Sequence, residues 1–216
     1  MKLWILFCLV GIGAHASAAD AVKLDGKPDV KLGCKHLRLV LDPQLGPETV
    51  LREWGKGTPP SAAPAVLELR GCKGQLLDRL TLEGPLARLH PEPLRGAPAP
   101  TYLVSVDLTA EAGSYSGPLT IPIQVVRDHL IPATAHTADG KIQAIHLALT
   151  GKAAWKKVSV GKVDDLLAVD SEPKGQGFIT HHRRYHPSLR GWQVQTRSHA
   201  GLWESDGEFP ATSLFP

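Results

Sequence analysis

The most informative stretch of the sequence is residues 175–210, GQGFITHHRRYHPSLRGWQVQTRSHAGLWESDGEFP. It contains four of the ten histidines and two of the five tryptophans of the chain. Its polar and aromatic side chains alternate, and alternation with period two is typical of a β-strand. We therefore predict a β-hairpin with strands at residues 178–186 and 192–199 and a loop at residues 188–191.

Two residues shape the predicted loop. Pro187 lacks a backbone N–H, so we expect it to end the first strand. Gly191 can adopt the positive φ angle that short hairpin loops often need. Alternation would place Phe178, Thr180, His182, Arg184 and His186 on one face of the first strand and Ile179, His181, Arg183 and Tyr185 on the other. We expect this ribbon to display its imidazole, guanidinium and indole groups outward instead of gathering them around a reaction centre.

The N-terminus has the composition of a secretory signal peptide at residues 1–19. Lys2 precedes a short apolar run at residues 3–12, and small residues follow it up to a cleavage site after Ala18 or Ala19. The apolar run is shorter than the roughly 20 residues that a permanent membrane span needs. We expect an exported bacterial protein without a membrane span, either periplasmic or secreted.

Cleavage would leave two cysteines, Cys34 and Cys72, with no CxxC spacing. In an oxidising compartment this pattern predicts one disulfide, and two buried free thiols are the alternative. Formal net charge is only +3 before cleavage, so neither nucleic acid nor a membrane surface is indicated as a partner.

The remaining sequence predicts an all-β protein. Its 18 prolines and 21 glycines are spread along the chain and leave little room for helices. About eleven short, mostly antiparallel strands at regular spacing indicate a sandwich or an open barrel with little helix. The predicted organisation is an N-terminal β subdomain at residues 20–84 with the disulfide, a Pro-rich connection at residues 85–100 and a C-terminal β subdomain at residues 101–216. A single domain over residues 20–216 is the alternative.

Further expectations concern single elements. Residues 48–54 fit either a helical turn or a strand, and residues 163–169 fit a strand or one short helix. In the strand at residues 102–108, Tyr102, Val104, Val106 and Leu108 should face inward, and Ser105 and Asp107 outward. Pro122 interrupts the strand at residues 119–126, which suggests an edge strand or a bulge.

The histidine cluster is the sharpest candidate for chemistry. On one strand, His182 and His186 would stand about 13 Å apart, too far for one metal ion. No HExxH motif and no second cysteine pair accompany them, so we predict neither a metal site nor a cofactor. With Arg184 and Arg190, His182 instead makes a mildly cationic face that strengthens below about pH 6.5.

Other motifs fit ordinary structural roles. The GSYSG sequence at residues 113–117 has Tyr115 where a nucleophile elbow needs serine. Ser188 beside His186 lacks an orienting acid. The carboxylates at positions 164, 165, 170, 204, 206 and 208 fit solvated turn charges better than a calcium loop. Trp155, Trp192 and Trp203 could stack on sugars but fit core or rim packing better.

These observations favour a non-catalytic binding protein whose partner is another protein of the cell envelope or a secreted protein. Inhibitors and immunity proteins belong to this class, and no catalytic residues are predicted. The residues predicted to bind the partner are His182, Arg184, Tyr185, His186, Arg190, Trp192, Arg197 and Trp203. One alternative is a metal-assisted envelope hydrolase that uses His181, His182, His186 or His199. Another is a glycan- or peptidoglycan-binding module that uses the tryptophans.

Overall fold

A computed structural model describes residues 29–43, 45, 62–108, 113–206 and 208–216. The predicted signal peptide and residues 48–54 lie outside these ranges. The described residues form fifteen strands: β1 (Asp29–Leu32), β2 (Lys35–Val40), β3 (Val66–Arg70), β4 (Leu76–Thr81), β5 (Ala87–Leu89), β6 (Thr101–Asp107), β7 (Pro118–Val126), β8 (His129–Pro132), β9 (Thr134–His136), β10 (Ile142–Ala144), β11 (Leu147–Ala148), β12 (Ala153–Val160), β13 (Val163–Lys174), β14 (Gly177–Ser188) and β15 (Gly191–Ala200). A single 3-10 turn covers Thr212–Leu214.

The all-β prediction is confirmed. The strands form three mostly antiparallel sheets, which we name in chain order. The first sheet has the order β1-β2-β3-β4, the middle sheet β11-β7-β6-β5 with β8 beside β7, and the third sheet β10-β9-β15-β14-β13-β12. In the described part of the chain, no helix is long and apolar enough to cross a membrane.

The first sheet carries the two cysteines at one end. Cys34 lies in the turn between β1 and β2, and Cys72 lies in the turn between β3 and β4. Because β2 and β3 are neighbours, these turns meet, with Cα atoms 4.7 Å apart and the sulfur atoms at disulfide distance. The predicted pairing of Cys34 with Cys72 is therefore supported by the geometry.

The middle sheet is buried on both sides, because a sheet packs against each of its faces. Tyr102, Val104 and Val106 of β6 pack with residues of the first sheet such as Leu67. Leu103 of the same strand packs into a second core with Trp192 and other residues of the third sheet. Every residue of β6 is consequently buried. The molecule is built of three β layers with two cores between them.

The prediction of a solvent-facing side for β6 is therefore wrong. Ser105 and Asp107 are buried, whereas Leu108, expected inside, is partly exposed just beyond the strand. Buried hydroxyls need partners. The Ser105 hydroxyl has two hydrogen-bond partners. Its oxygen lies 2.6 Å from the Thr120 hydroxyl oxygen and 2.9 Å from Nε2 of His90.

Pro122 lies in the interior of the middle sheet and not at an edge. On one side of β7, pairing with β11 stops at Thr120 and pairing with β8 starts at Ile123. The carbonyl of Pro122 points to this side, where it accepts a hydrogen bond from the Ala133 N–H. The N and C=O groups of one strand residue point to the same side. The N–H that Pro122 lacks would therefore point into the gap between β11 and β8, where no strand needs it.

The first core draws on both sides of the predicted Pro-rich connection. Leu37, Leu67 and Leu69 come from residues before it, and Val104 and Ile123 come from residues after it. The connection itself contains strand β5, which pairs with β6. The first sheet thus buries its apolar face against strands that follow the connection.

Candidate functional site

The predicted hairpin forms the centre of the third sheet. β14 and β15 pair from Ile179 with Ala200 to Ser188 with Gly191, and Gly191 has the expected positive φ of 114°. The loop is shorter than predicted, because β14 continues through Pro187 to Ser188. Pairing of β14 with β13 ends at Tyr185, so Pro187 needs no donor on that side.

The inner face of this hairpin belongs to the second core. Tyr185, Trp192 and Val194 are buried there beside Leu166 and Ile145. The prediction that Tyr185 and Trp192 are displayed to a partner is wrong. The alternation of the sequence already indicated that this face is buried. Tyr185 and Pro187 lie opposite Val194 and Trp192, and together they make one apolar face.

The outer face of the hairpin is partly covered by the C-terminal tail, residues 203–206 and 208–216. His182 is buried here, with the Phe215 ring edge-on at 5.0 Å and the His199 ring stacked at 5.1 Å between centroids. His182 is therefore not displayed outward as expected. Its Nδ1 has no hydrogen-bond partner among the described residues. Burial, reinforced by the nearby charges of His199, Arg197 and His181, lowers the pKa of His182 below its usual 6.5.

A buried carboxylate organises the next two outward residues of β14. Asp165 of β13 is almost fully buried, contrary to the prediction of a solvated turn charge. Its Oδ2 accepts a hydrogen bond from Arg184 Nε at 2.7 Å, and its Oδ1 lies 2.7 Å from His186 Nδ1. Arg184 and His186 are thus brought together, as the shared face predicted, but by an acid that the sequence analysis had placed in solvent.

Asp164 is buried on the opposite face of β13. Burial alone would raise the pKa of Asp164, but hydrogen bonds from the Arg95 side chain and backbone and from Ser159 outweigh burial and lower it strongly. The Arg95 guanidinium lies 2.8 Å from this carboxylate. Both aspartates therefore act as structural anchors of β13.

The tail binds to the outer face through apolar and charged contacts. Phe215 packs on Leu167 and Val169, with Trp203 and Phe209 at the margin of the cluster. Arg197 Nη1 lies 3.3 Å from the carbonyl oxygens of residues 213 and 214. The half-buried Trp203 and the cationic Arg197 were both predicted to bind a partner, and in this structure they help to hold the tail.

The hairpin tip is the part of the predicted site that stands fully in solvent. Leu189 is 98% exposed, and Arg190 beside it is exposed as well. Ser188 fixes the turn, because its hydroxyl donates to the Gly191 carbonyl at 2.7 Å and accepts from the Arg190 N–H. Both hydrogen-bonding roles of the Ser188 hydroxyl are therefore used within the turn.

The histidines that the structure describes do not assemble a metal site. Over the described ranges, no group of three or more His, Cys, Asp or Glu side chains is arranged to hold an ion. His182 instead packs against the Phe215 ring, and the Nδ1 atom of His186 contacts the Asp165 carboxylate. Comparison of the chain with protein-family models, with curated proteins and with solved structures gave no match.

Proposed function

We propose that this protein is an exported binding protein that recognises another protein of the cell envelope, or a secreted protein, through the tip of the β14–β15 hairpin. Recognition of this kind needs no catalytic chemistry, and it suits an inhibitor or an immunity-type protein. Export is supported by the signal-like N-terminus in the sequence and by the disulfide distance between Cys34 and Cys72.

The exposure of Leu189 is the observation that carries the proposal. A leucine with 98% of its surface in water gives up the free energy that burial would supply, about 2 kcal/mol. In this hairpin it sits on a turn fixed by Ser188 and on two of the longest strands of the fold. A rigid projecting apolar side chain can enter a partner's pocket with little loss of conformational entropy.

The charges around the tip indicate an acidic partner surface. Arg190 is exposed beside Leu189, and the half-exposed His186 lies two strand pairs from the closing pair of the hairpin. Arg184 follows on the same face, but its guanidinium is already paired with Asp165, so Arg190 is the cation left open to a partner. Cationic groups around an apolar anchor favour a pocket with carboxylates at its rim.

A binding experiment with tip variants tests this proposal. The mature protein is immobilised, proteins retained from a bacterial envelope extract are identified, and each candidate is purified for calorimetry. Leu189→Ser and Arg190→Glu should each weaken the affinity at least tenfold, because such anchors dominate interface energies. Unfolding curves should not change, since neither side chain has buried contacts to lose.

Leu76→Ser is the matched control. Leu76 is also an exposed leucine, 48% in solvent, but it lies on β4 of the first sheet. Its replacement should leave the affinity unchanged. Equal binding by the Leu189→Ser and wild-type proteins would contradict the proposal.

A further inference from the structure

At the end of the hairpin opposite to the tip, three strands place an acid, an imidazole and a hydroxyl in one row. Glu172 lies on β13, His181 on β14 and Ser198 on β15. The Ser198 Oγ is 2.7 Å from His181 Nδ1, and Glu172 Oε1 is 3.2 Å from His181 Nε2. The register explains the row, because His181 pairs directly with Ser198 and Glu172 lies diagonally across from His181 on the same face.

The hydrogen bonds fix the direction in which protons can move. An ionised carboxylate only accepts, so the His181 nitrogen facing Glu172 must carry the hydrogen. Nδ1 of the neutral ring is then an acceptor, and the Ser198 hydroxyl must donate to it. An imidazole held in place by an acid can act in this way as a general base towards a serine nucleophile, and here Nδ1 faces the serine and Nε2 faces the acid.

The two ends of the row are open to solvent, His181 between them is 14% exposed, and the surrounding charges balance. Ser198 is exposed, and 61% of the Glu172 side chain is in solvent. On the same face, Arg183 is paired with Asp170, and Lys174 follows Glu172 by two residues. Two acidic and two basic side chains therefore balance, so the site favours an uncharged substrate over a charged one.

We propose that Ser198 is a nucleophile that attacks uncharged carboxylic esters, with His181 as its general base and Glu172 as a positioning residue. This activity goes beyond the proposed binding function and does not depend on it, since the tip and the row lie at opposite ends of the hairpin.

In the first step, the Ser198 Oγ forms a bond to the carbonyl carbon of the ester, and its proton passes to His181 Nδ1. The bond from that carbon to the leaving oxygen then breaks, and His181 returns the proton to the departing alcohol. In the second step, a water molecule attacks the acyl-serine and gives its proton to His181. The acid is released as the Ser198 hydroxyl is restored with the proton held on His181.

Covalent labelling of the mature protein tests the nucleophile. A fluorophosphonate probe should form one phosphorus–oxygen bond at Ser198 and release fluoride, which peptide mass spectrometry locates. Ser198→Ala and His181→Gln should each lower the labelling rate about 100-fold or more, the usual contribution of a general base. Ser188→Ala is the matched control, because that hydroxyl donates to a carbonyl, and its labelling should equal wild type.

Hydrolysis of p-nitrophenyl acetate, an uncharged ester, supplies a second readout. A burst of p-nitrophenol equal to the protein concentration should precede the steady rate and be absent in Ser198→Ala. Glu172→Gln should lower kcat more than it changes KM, and Glu172→Asp should restore part of kcat by keeping a carboxylate. No adduct at Ser198, or equal rates for wild type and Ser198→Ala, would overturn the proposal.

Discussion

At the scale of single residues, Asp165 shows how a buried acid can organise side chains that the sequence predicts to lie on an open surface. Asp165 holds Arg184 and His186 on one carboxylate, with both contacts near 2.7 Å. Asp165→Ala would leave the Arg184 guanidinium and the His186 ring without their shared partner. Because both side chains are partly exposed, we expect a loss of about 2–3 kcal/mol, below the full cost of breaking a fully buried pair.

Urea unfolding of Asp165→Ala measures this loss, and Asp29→Ala is the matched control. Asp29 lies in solvent 4.0 Å from Arg38, so its removal should change the unfolding free energy by less than about 1 kcal/mol. Similar effects for the two variants would show that the buried cluster has no special importance.

His182 and His90 make stability depend on pH in a defined direction. Burial is the main reason that the pKa of each is lowered below 6.5, with nearby cations adding to it. The unfolded chain therefore binds protons more readily than the folded protein, so the folded state loses stability as pH falls below about 6.5 towards the lowered pKa values. Above about pH 7 both rings are neutral in either state, and this effect vanishes.

Unfolding free energies measured between pH 7.5 and pH 5 test this dependence. His182→Gln and His90→Gln should each flatten the curve, and the double variant should add the two changes, because the residues belong to different layers. A curve for His182→Gln with the wild-type slope would contradict the role of burial at this position.

At the scale of elements, strand positions follow from the sequence better than strand environments do. In β3, Leu67 and Leu69 alternate with Glu68 and Arg70, and the structure buries the two leucines in the first core and leaves the other face partly exposed. β6 has the same alternation, yet a second sheet covers its polar side. A single sequence carries no signal for this, since Ser105 and Thr120 satisfy each other only after β6 and β7 have paired.

The candidate site, too, could be predicted from the sequence only in part. The hairpin, its two faces and the position of Gly191 could be predicted, because alternation and turn chemistry are local. The contacts of Asp165 and Phe215 and the row of Glu172, His181 and Ser198 could not be predicted. They depend on the register of three strands and on the path of the tail. The position of Ser198 could have been predicted. If Ser188 pairs with Gly191, the same register places Ser198 opposite His181.

The bridge between the β1–β2 and β3–β4 turns is tested by reduction. Cys34 and Cys72 are 38 positions apart, and closing such a loop stabilises a fold by about 4 kcal/mol on the chain-entropy model. We expect a Cys34→Ser, Cys72→Ser double variant to lose an amount of this order. Thermal unfolding with and without reductant measures it, and reductant should not affect the double variant.

At the scale of the whole molecule, the tail acts as a fourth, partial layer on the outer face. Its anchor is Phe215, which fills a small cluster with Leu167 and Val169 and covers His182. Phe215→Ala should destabilise the protein by about 3 kcal/mol if the cluster cannot collapse. It should also reduce the pH dependence assigned to His182, because the ring would regain access to water.

Hydrogen exchange gives the measurement for the tail. In Phe215→Ala, backbone amides of residues 203–216 should exchange faster, whereas those of β6 should keep their wild-type protection. Leu214→Ala, which changes an exposed neighbour, is the control and should leave both sets unchanged. Uniform acceleration through the whole chain would mean that the tail is not a separate layer.

The double burial of β6 has a consequence for how the chain can be divided. Strand β6 supplies side chains to both cores. Unfolding of either core would expose one face of β6 to water and destabilise the other core. The two cores should therefore unfold in one cooperative transition. A fragment starting at residue 101 would leave Tyr102, Val104 and Val106 without their covering sheet and offer an apolar surface for aggregation. Calorimetry of the protein without residues 1–19 should accordingly record a single heat-absorption peak.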